Sequence, residues 1–222
     1  MKIQILLCIF IQIILLYYVK NIFHNIIMLK TNNLEIGIDE SGRGPLFGRV
    51  YAAAVIWDGE SNLINDSKKL TKNKRKIALE WINNNNIKYG IGWAESDEID
   101  ELNILNATKL AINRALDNLE LKELKEYKLL IDGIGWEKHF SNYGVESIVK
   151  GDSKYYSIAA ASIIAKESHD DYIKKLCIEN PILKDNYDLL NNMGYGTKKH
   201  IEGIEKHGYT IYHRKSYKLK KI

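Results

Sequence analysis

Two apolar runs, residues 34–39 ending in Asp39 and residues 49–57 (RVYAAAVIW), are separated by a stretch rich in glycine and proline, and this arrangement constrains the fold more than any other feature. Each run reads as a β-strand, and the turn-forming stretch between them predicts an antiparallel pair. Residues 88–94 (KYGIGWA) read as a third strand, 127–131 (YKLLI) as a fourth that ends in Asp132-Gly133, and 145–149 (VESIV) as a fifth. Thr71 can cap a helix through about Asn83, with Ile77, Trp81 and Ile82 on its apolar side. A second helix, over about 105–119, spaces Leu105, Thr108, Ile112, Ala115 and Leu119 three or four residues apart. A third, rich in Ala and Ile, is predicted from Ser157 to about Leu176. With no internal repeat or low-complexity linker, this order argues an α/β fold: one mixed five-stranded sheet flanked by helices, closed by a small basic helical extension.

At 222 residues, 45% hydrophobic and 27% charged, the chain can bury one sizeable core and lacks the composition of a disordered protein. One main domain is expected over 31–190, after an apolar extension at 1–30 and before a basic one at 191–222. The only cysteines are Cys8 and Cys177, which imply no disulfide framework or thiolate metal site and fit a reducing, cytoplasmic interior. Net charge is +4, but residues 194–222 hold eight Lys/Arg against two Glu, so this tail carries +6 and everything before it −2. With Tyr195, Tyr209, Tyr212 and Tyr217 interleaved, the tail suits a phosphate backbone with sugars or bases to pack on. A solvated basic terminus has the same composition.

Residues 3–19 carry no charge and, apart from Gln4 and Gln12, are apolar or tyrosine. The stretch falls somewhat short of the ~20 residues of a spanning helix, and no Ala-x-Ala cleavage site follows it. Two readings stay open. Met28 is the functional start and the preceding residues are dispensable, or the segment targets or anchors the chain to a membrane.

Chemistry concentrates at the ends of two strands. In IGIDESGRGPL (36–46), Asp39 and Glu40 sit side by side between an apolar run and a Gly-Arg-Gly turn, a costly placement unless a cation compensates it, and a divalent metal is the natural one. Asp132 ends its own apolar run in the same way. If the two strands are neighbours, the carboxylates meet at one sheet end, where α/β folds commonly bind ligands. Asp-Gly alone is more often a turn. On the third helix Asp170 projects from a stripe otherwise suited to packing, with Lys166 four residues away as an ordinary ion-pair partner.

The string IGIDESGRGPL resembles the opening motif of the type 2 ribonucleases H, the ribonuclease HII family. So does KGDSKYYSIAAASIIAKESHDDYI (150–173), which is close to that family's long KGDxxxxSIAAASIIAKVxRD signature. NDSKKLT (65–71), DELNILNATKLAINRAL (100–116), GYGTKKH (194–200) and HRKSY (213–217) extend the resemblance over about residues 34–217. It implies a ribonuclease H-like fold in which Asp39, Glu40, Asp132 and Asp170 bind two divalent cations. Hard oxygen ligands without histidine or cysteine favour Mg²⁺ or Mn²⁺. Two such ions roughly 3.5–4 Å apart activate a water and stabilise the leaving oxygen. The resemblance also implies that Gly42, Arg43 and Gly44 approach a ribose 2′-hydroxyl through their backbone. Tyr195 would stack beside the deoxyribonucleotide that follows, while Ser67, Lys68, Lys69 and Lys166 would line the substrate groove. Read singly, Gly42–Gly44 make a tight turn, Tyr195 a packed aromatic and the lysines a solvated pair.

The chain departs from the family pattern at several places. Ile134 stands where the Asp-Gly motif usually has asparagine, Glu167 replaces Val, His169 replaces Arg, and Met193 replaces lysine. Gly196 stands for proline, and Arg49 and Tyr51 alter the context after the glycine loop. The function implied is a monomeric endoribonuclease acting on RNA-DNA hybrids and on duplex DNA with embedded ribonucleotides. A hybrid-binding protein that has lost turnover is the alternative. A nucleotide-binding enzyme is disfavoured, because Gly42, Gly44 and Gly48 give G-x-G-x-x-x-G and no Walker lysine follows.

Overall fold

The computed structural model describes residues 34–219, so the apolar segment at 3–19 and the choice between its two readings lie outside the described residues. Strand β1 (Glu35–Ser41) runs antiparallel to β2 (Val50–Val55), with Asp39 opposite Ala53, and β2 runs antiparallel to β3 (Tyr89–Ala94). On the other side of β1, β4 (Lys128–Asp132) is parallel to it, and β5 (Gly144–Ile148) is parallel to β4. The order β3-β2-β1-β4-β5 is the expected mixed five-stranded sheet, with β1 and β4 as inner neighbours.

Both faces are covered by helices. Helix α1 (Lys72–Asn84) begins where Thr71 accepts a hydrogen bond from the Lys74 N–H, but it buries Ala78 and Ile82 while Ile77 is 51% exposed. Of the expected apolar side, Ile82 is buried and Trp81 packs against the core, while Ala78 takes the place expected of Ile77. Helix α2 (Ser96–Leu102) was not anticipated. It starts in a capping box between Glu95 and Glu98, and Asn103, at φ 66°, breaks it from α3 (Ile104–Asp117). In α3, Thr108, Ile112 and Ala115 are buried as expected, whereas Leu105 is partly exposed and the seam is made by Ala107, Ala111 and Leu116.

Close approach explains that alanine seam. A β-carbon on Gly92 would lie 2.1 Å from the Ala111 carbonyl oxygen, and one on Gly90 equally close to that of Ala115. The backbones of α3 and β3 touch without side chains between them. Gly92→Ala is expected to cost at least about 1–3 kcal/mol, since helix and strand must separate to admit the methyl group. An unchanged thermal midpoint in scanning calorimetry would contradict this packing.

The opposite face is covered by α4 (Tyr156–Glu179), whose Ala159, Ala160, Ile163 and Ile164 pack with Ala53 and Val55 of β2. A β-carbon on Gly37 would sit 2.4 Å from Ser157, so β1 also lies directly against this helix. After α4 come α5 (Pro181–Tyr187), α6 (Leu189–Asn192) and α7 (Lys198–His207), so this small helical unit begins ahead of the basic extension expected over 191–222, within which α7 lies whole. These pack around Phe47 and Ile173, and backbone bonds from Leu46 to Gly194 and from Gly48 to Tyr212 join them to the β1–β2 turn.

Two buried histidines lock this extension. The Thr210 N–H donates to His213 Nδ1 (2.9 Å), so the His213 proton sits on Nε2, 3.2 Å from His200 Nε2. His200 in turn donates from Nδ1 to the Tyr195 carbonyl (2.9 Å). The Thr210–His213 and His213–His200 bonds together need both rings neutral, because each ring uses one bare nitrogen as an acceptor. Burial lowers both, His213 to about 3. The unfolded chain takes up these protons near pH 6.5 while the folded one does not, so the stabilisation is whole above that pH and lost as pH falls toward 3. Urea midpoints should therefore drop between pH 7 and pH 4.5, and His213→Asn, less stable at pH 7, should show a shallower slope. Parallel slopes would remove His213 from the cause.

Candidate active site

Strands β1 and β4 are parallel, so their carboxyl ends share one edge of the sheet. The last registered pair is Ile38 with Ile131, both packed in the cluster beneath α3, and the next residue in each strand is an aspartate. Strand alternation turns Asp39 and Asp132 to the α4 face. Asp39 is buried and takes the Glu40 N–H on Oδ1 at 2.7 Å; Asp132 takes the Gly151 N–H on Oδ1 at 2.7 Å. That bond draws in the short 3-10 turn Gly151–Ser153, bringing Asp152 to the same place.

Carboxylate oxygens of Asp39, Asp132 and Asp152 lie within 4.8 Å of one another. Asp152 was not singled out in the sequence, although it stands in the quoted KGD string. Burial pushes the Asp39 carboxyl well above its usual range, and the charges of Glu40 and Asp132 push it further. Burial likewise raises Glu40, partly offset by Arg43, whose Nη1 donates to Oε1 at 3.1 Å. The second Glu40 oxygen, Oε2, is buried and has no partner among the described residues. Crowded, mutually repelling hard oxygens with one left unpaired fit a divalent cation, and Asp39, Asp132 and Asp152 could hold one.

A cleft of about 330 Å³ opens beside Asp39 and Glu40 and gathers Gly42, Arg43, Gly44, Ser67, Lys68, Lys166 and Tyr195. Lys68 reaches Asp152 at 3.5 Å, and Ser67 Oγ meets Ser162 Oγ at 2.8 Å. Lys69 is not among the cleft-lining residues and pairs with Asp66 at 3.8 Å.

Asp170 stands outside the carboxylate group. Its Oδ1 accepts from Lys166 Nζ (2.7 Å) and His169 Nδ1 (3.1 Å), and Arg75 lies 3.6 Å from Oδ2. Burial alone would raise its pKa, but the bonds from His169 and Lys166 outweigh it and hold the carboxyl below the usual range. The departures at 167 and 169 are absorbed here. Buried Glu167 binds Arg75 Nε at 2.7 Å, and His169, fully buried and lowered by desolvation, spends its Nδ1 proton on Asp170. Arg75 was missed in the sequence because a basic residue on an amphipathic helix reads as a solvated one.

Comparison with known proteins places this geometry in a family. The family model for ribonuclease HII matches residues 36–220. Ribonuclease HII of Phocaeicola vulgatus is 45% identical over 193 residues, covering 86% of this chain and 92% of that protein. That of Pelagibacter ubique is 47% identical over 183 residues, covering 82% and 94%. Among solved structures, ribonuclease H2 of Pyrococcus horikoshii superposes with a TM-score of 0.63 at 25% identity, covering 83% of this chain and 93% of its own. Ribonuclease HII of Archaeoglobus fulgidus, solved in complex with PCNA, gives 0.67 at 23% identity, covering 85% and 97%, a likeness of fold. Fold, paired strand-end aspartates and a match running through nearly all described residues agree that this ribonuclease H-type enzyme belongs to the ribonuclease HII family.

Proposed function

We propose that the chain hydrolyses the RNA strand of RNA-DNA hybrids and incises duplex DNA at embedded ribonucleotides, with Asp39, Glu40, Asp132 and Asp170 holding two Mg²⁺ or Mn²⁺ ions. The convergence of Asp39 and Asp132 oxygens, with Asp39 and Glu40 lining the same cleft as Gly42–Gly44, carries this reading, because it sets candidate cation ligands beside the glycine loop. When bound, the ions supply an activated water and charge stabilisation for the leaving oxygen, giving 5′-phosphate and 3′-hydroxyl ends. The protein's own groups then have separable tasks. Lys68 and Lys166 attract the phosphate, and Asp39 and Asp132 are fixed by backbone N–H donors before any ligand arrives. Arg43 neutralises one oxygen of Glu40 and leaves the other available.

The test is digestion of a DNA duplex bearing one ribonucleotide, with the cut mapped to the nucleotide. Metal-dependent cleavage at the ribonucleotide is expected. Tight binding with no cleavage in either ion would favour the hybrid-binding alternative. Asp170→Asn should lower turnover in Mg²⁺ and recover partly in Mn²⁺, which tolerates a poorer ligand set. An unchanged rate would reduce Asp170 to the ion pairs in which it is seen.

A further inference from the structure

Arg214, in the HRKSY string, is 1% exposed and forms no ion pair among the described residues. Its guanidinium instead donates to five backbone carbonyls of one loop. Nε reaches Gly48 (2.8 Å), Nη1 reaches Pro45 (2.8 Å) and Arg43 (3.2 Å), and Nη2 reaches Gly42 (2.7 Å) and Arg49 (2.9 Å). The Tyr217 hydroxyl donates to the same Arg43 carbonyl at 2.6 Å. Nη1 also donates to the Tyr217 hydroxyl (3.3 Å), whose ring lies 5.3 Å from the guanidinium. A buried cation balanced mainly by carbonyl dipoles is stable where those dipoles converge on it, so the loop must be wound around Arg214.

This winding has a consequence on the loop's other side. In a trans peptide the C=O and N–H point in opposite directions. With the Gly42 and Arg43 carbonyls turned to Arg214, the N–H groups of Arg43 and Gly44 point away from it. Neither N–H has an acceptor among the described residues, and Gly42, Arg43 and Gly44 line the cleft. We propose that Arg214 is a positioning residue for ribose recognition: by gathering the loop's carbonyls it holds two free backbone donors ready for the substrate sugar and its phosphate. This rests on the reading above that the glycine loop meets the ribose. Lysine cannot replace it, since one ammonium cannot span carbonyls from five residues.

The test compares wild type with Arg214→Lys, which keeps the charge, and Tyr217→Phe, a milder change to the same clamp. Amide exchange is followed at Leu46 and Gly48, whose N–H groups bond the Gly194 and Tyr212 carbonyls. kcat and KM are measured on a duplex with one ribonucleotide and on a full RNA-DNA hybrid. Arg214→Lys should speed exchange at Leu46 and Gly48 while β1 and β4 amides stay protected. It should also lower kcat/KM on the single ribonucleotide about tenfold more than on the hybrid, since that substrate offers one ribose to the loop. Tyr217→Phe should move both readouts the same way by less. Wild-type exchange with an unchanged substrate ratio would overturn the proposal, as would exchange raised throughout the chain with equal losses on both substrates. Faster loop exchange with an unchanged ratio would leave Arg214 a loop staple and overturn its part in recognition. If wild type cleaves neither substrate, the proposed reaction fails, and the exchange data alone decide whether Arg214 sets the loop.

Discussion

Asp132→Asn should fold like the wild type and lose turnover by at least about 10²-fold, because the change removes charge without removing volume. The amide oxygen of an asparagine can still accept the Gly151 N–H that Asp132 now accepts at 2.7 Å, so the turn carrying Asp152 keeps its anchor. Electrostatics then work in opposite directions for stability and activity. Asp39 is raised partly by the charge of Asp132, a repulsion that a bound cation would relieve and that the substitution relieves instead. The metal-free variant should accordingly be at least as stable as the metal-free wild type, while its affinity for Mn²⁺, read by calorimetric titration, falls. A variant with wild-type turnover would remove Asp132 from the site, and one with a much lower melting temperature would make the Gly151 bond its main role.

The sheet and half of the site were legible in the sequence for the same reason. An apolar run that stops at a carboxylate marks both a strand and a charged site, and the runs leading to Asp39 and Asp132 each do so, although β1 continues through Glu40 to Ser41 while β4 ends at Asp132. Their parallel pairing was the missing condition, and the fold meets it. What was not legible came from contacts that local pattern cannot encode. Helix α2 is short and polar on its exposed side, and its capping box begins with glutamate rather than with Ser or Thr. Leu105 follows a helical period yet is partly exposed, because Gly90, Gly92 and the alanines opposite them draw the α3 seam to the smallest side chains, and Ile77 faces solvent because Ala78 and Ile82 make the contact of α1 with the cluster around Trp57. Asp152 becomes a neighbour of Asp39 only through the turn that Asp132 anchors. Arg214 lay in a string noted for resemblance, but nothing in its spacing shows that it closes on a loop some 165–172 residues earlier. The substitutions at 167 and 169 look unrelated in sequence and are joined in space through Arg75 and Asp170.

Tyr195→Ala is expected to lower cleavage at a single embedded ribonucleotide by roughly 10- to 100-fold, the loss of one stacking contact worth ~1–3 kcal/mol. The structure removes the main objection, that Tyr195 is a packed aromatic. Its ring is 44% exposed and stands in the cleft close to Gly44, where a β-carbon would come within 3.2 Å of it. Only its backbone is tied down: the N–H donates to the Asn192 carbonyl, and its own carbonyl accepts from His200 and from the Thr197 N–H. The residue is held by the main chain and presents a free ring, so truncation should leave the melting temperature almost unchanged. Tyr195→Phe keeps the stacking face and should be mild. The effect should be largest at a lone ribonucleotide, which offers one RNA-DNA junction and few other contacts to compensate. Equal losses on that substrate and on a full RNA-DNA hybrid would point to general backbone binding, and a stability loss matching the activity loss would return the ring to a packing role.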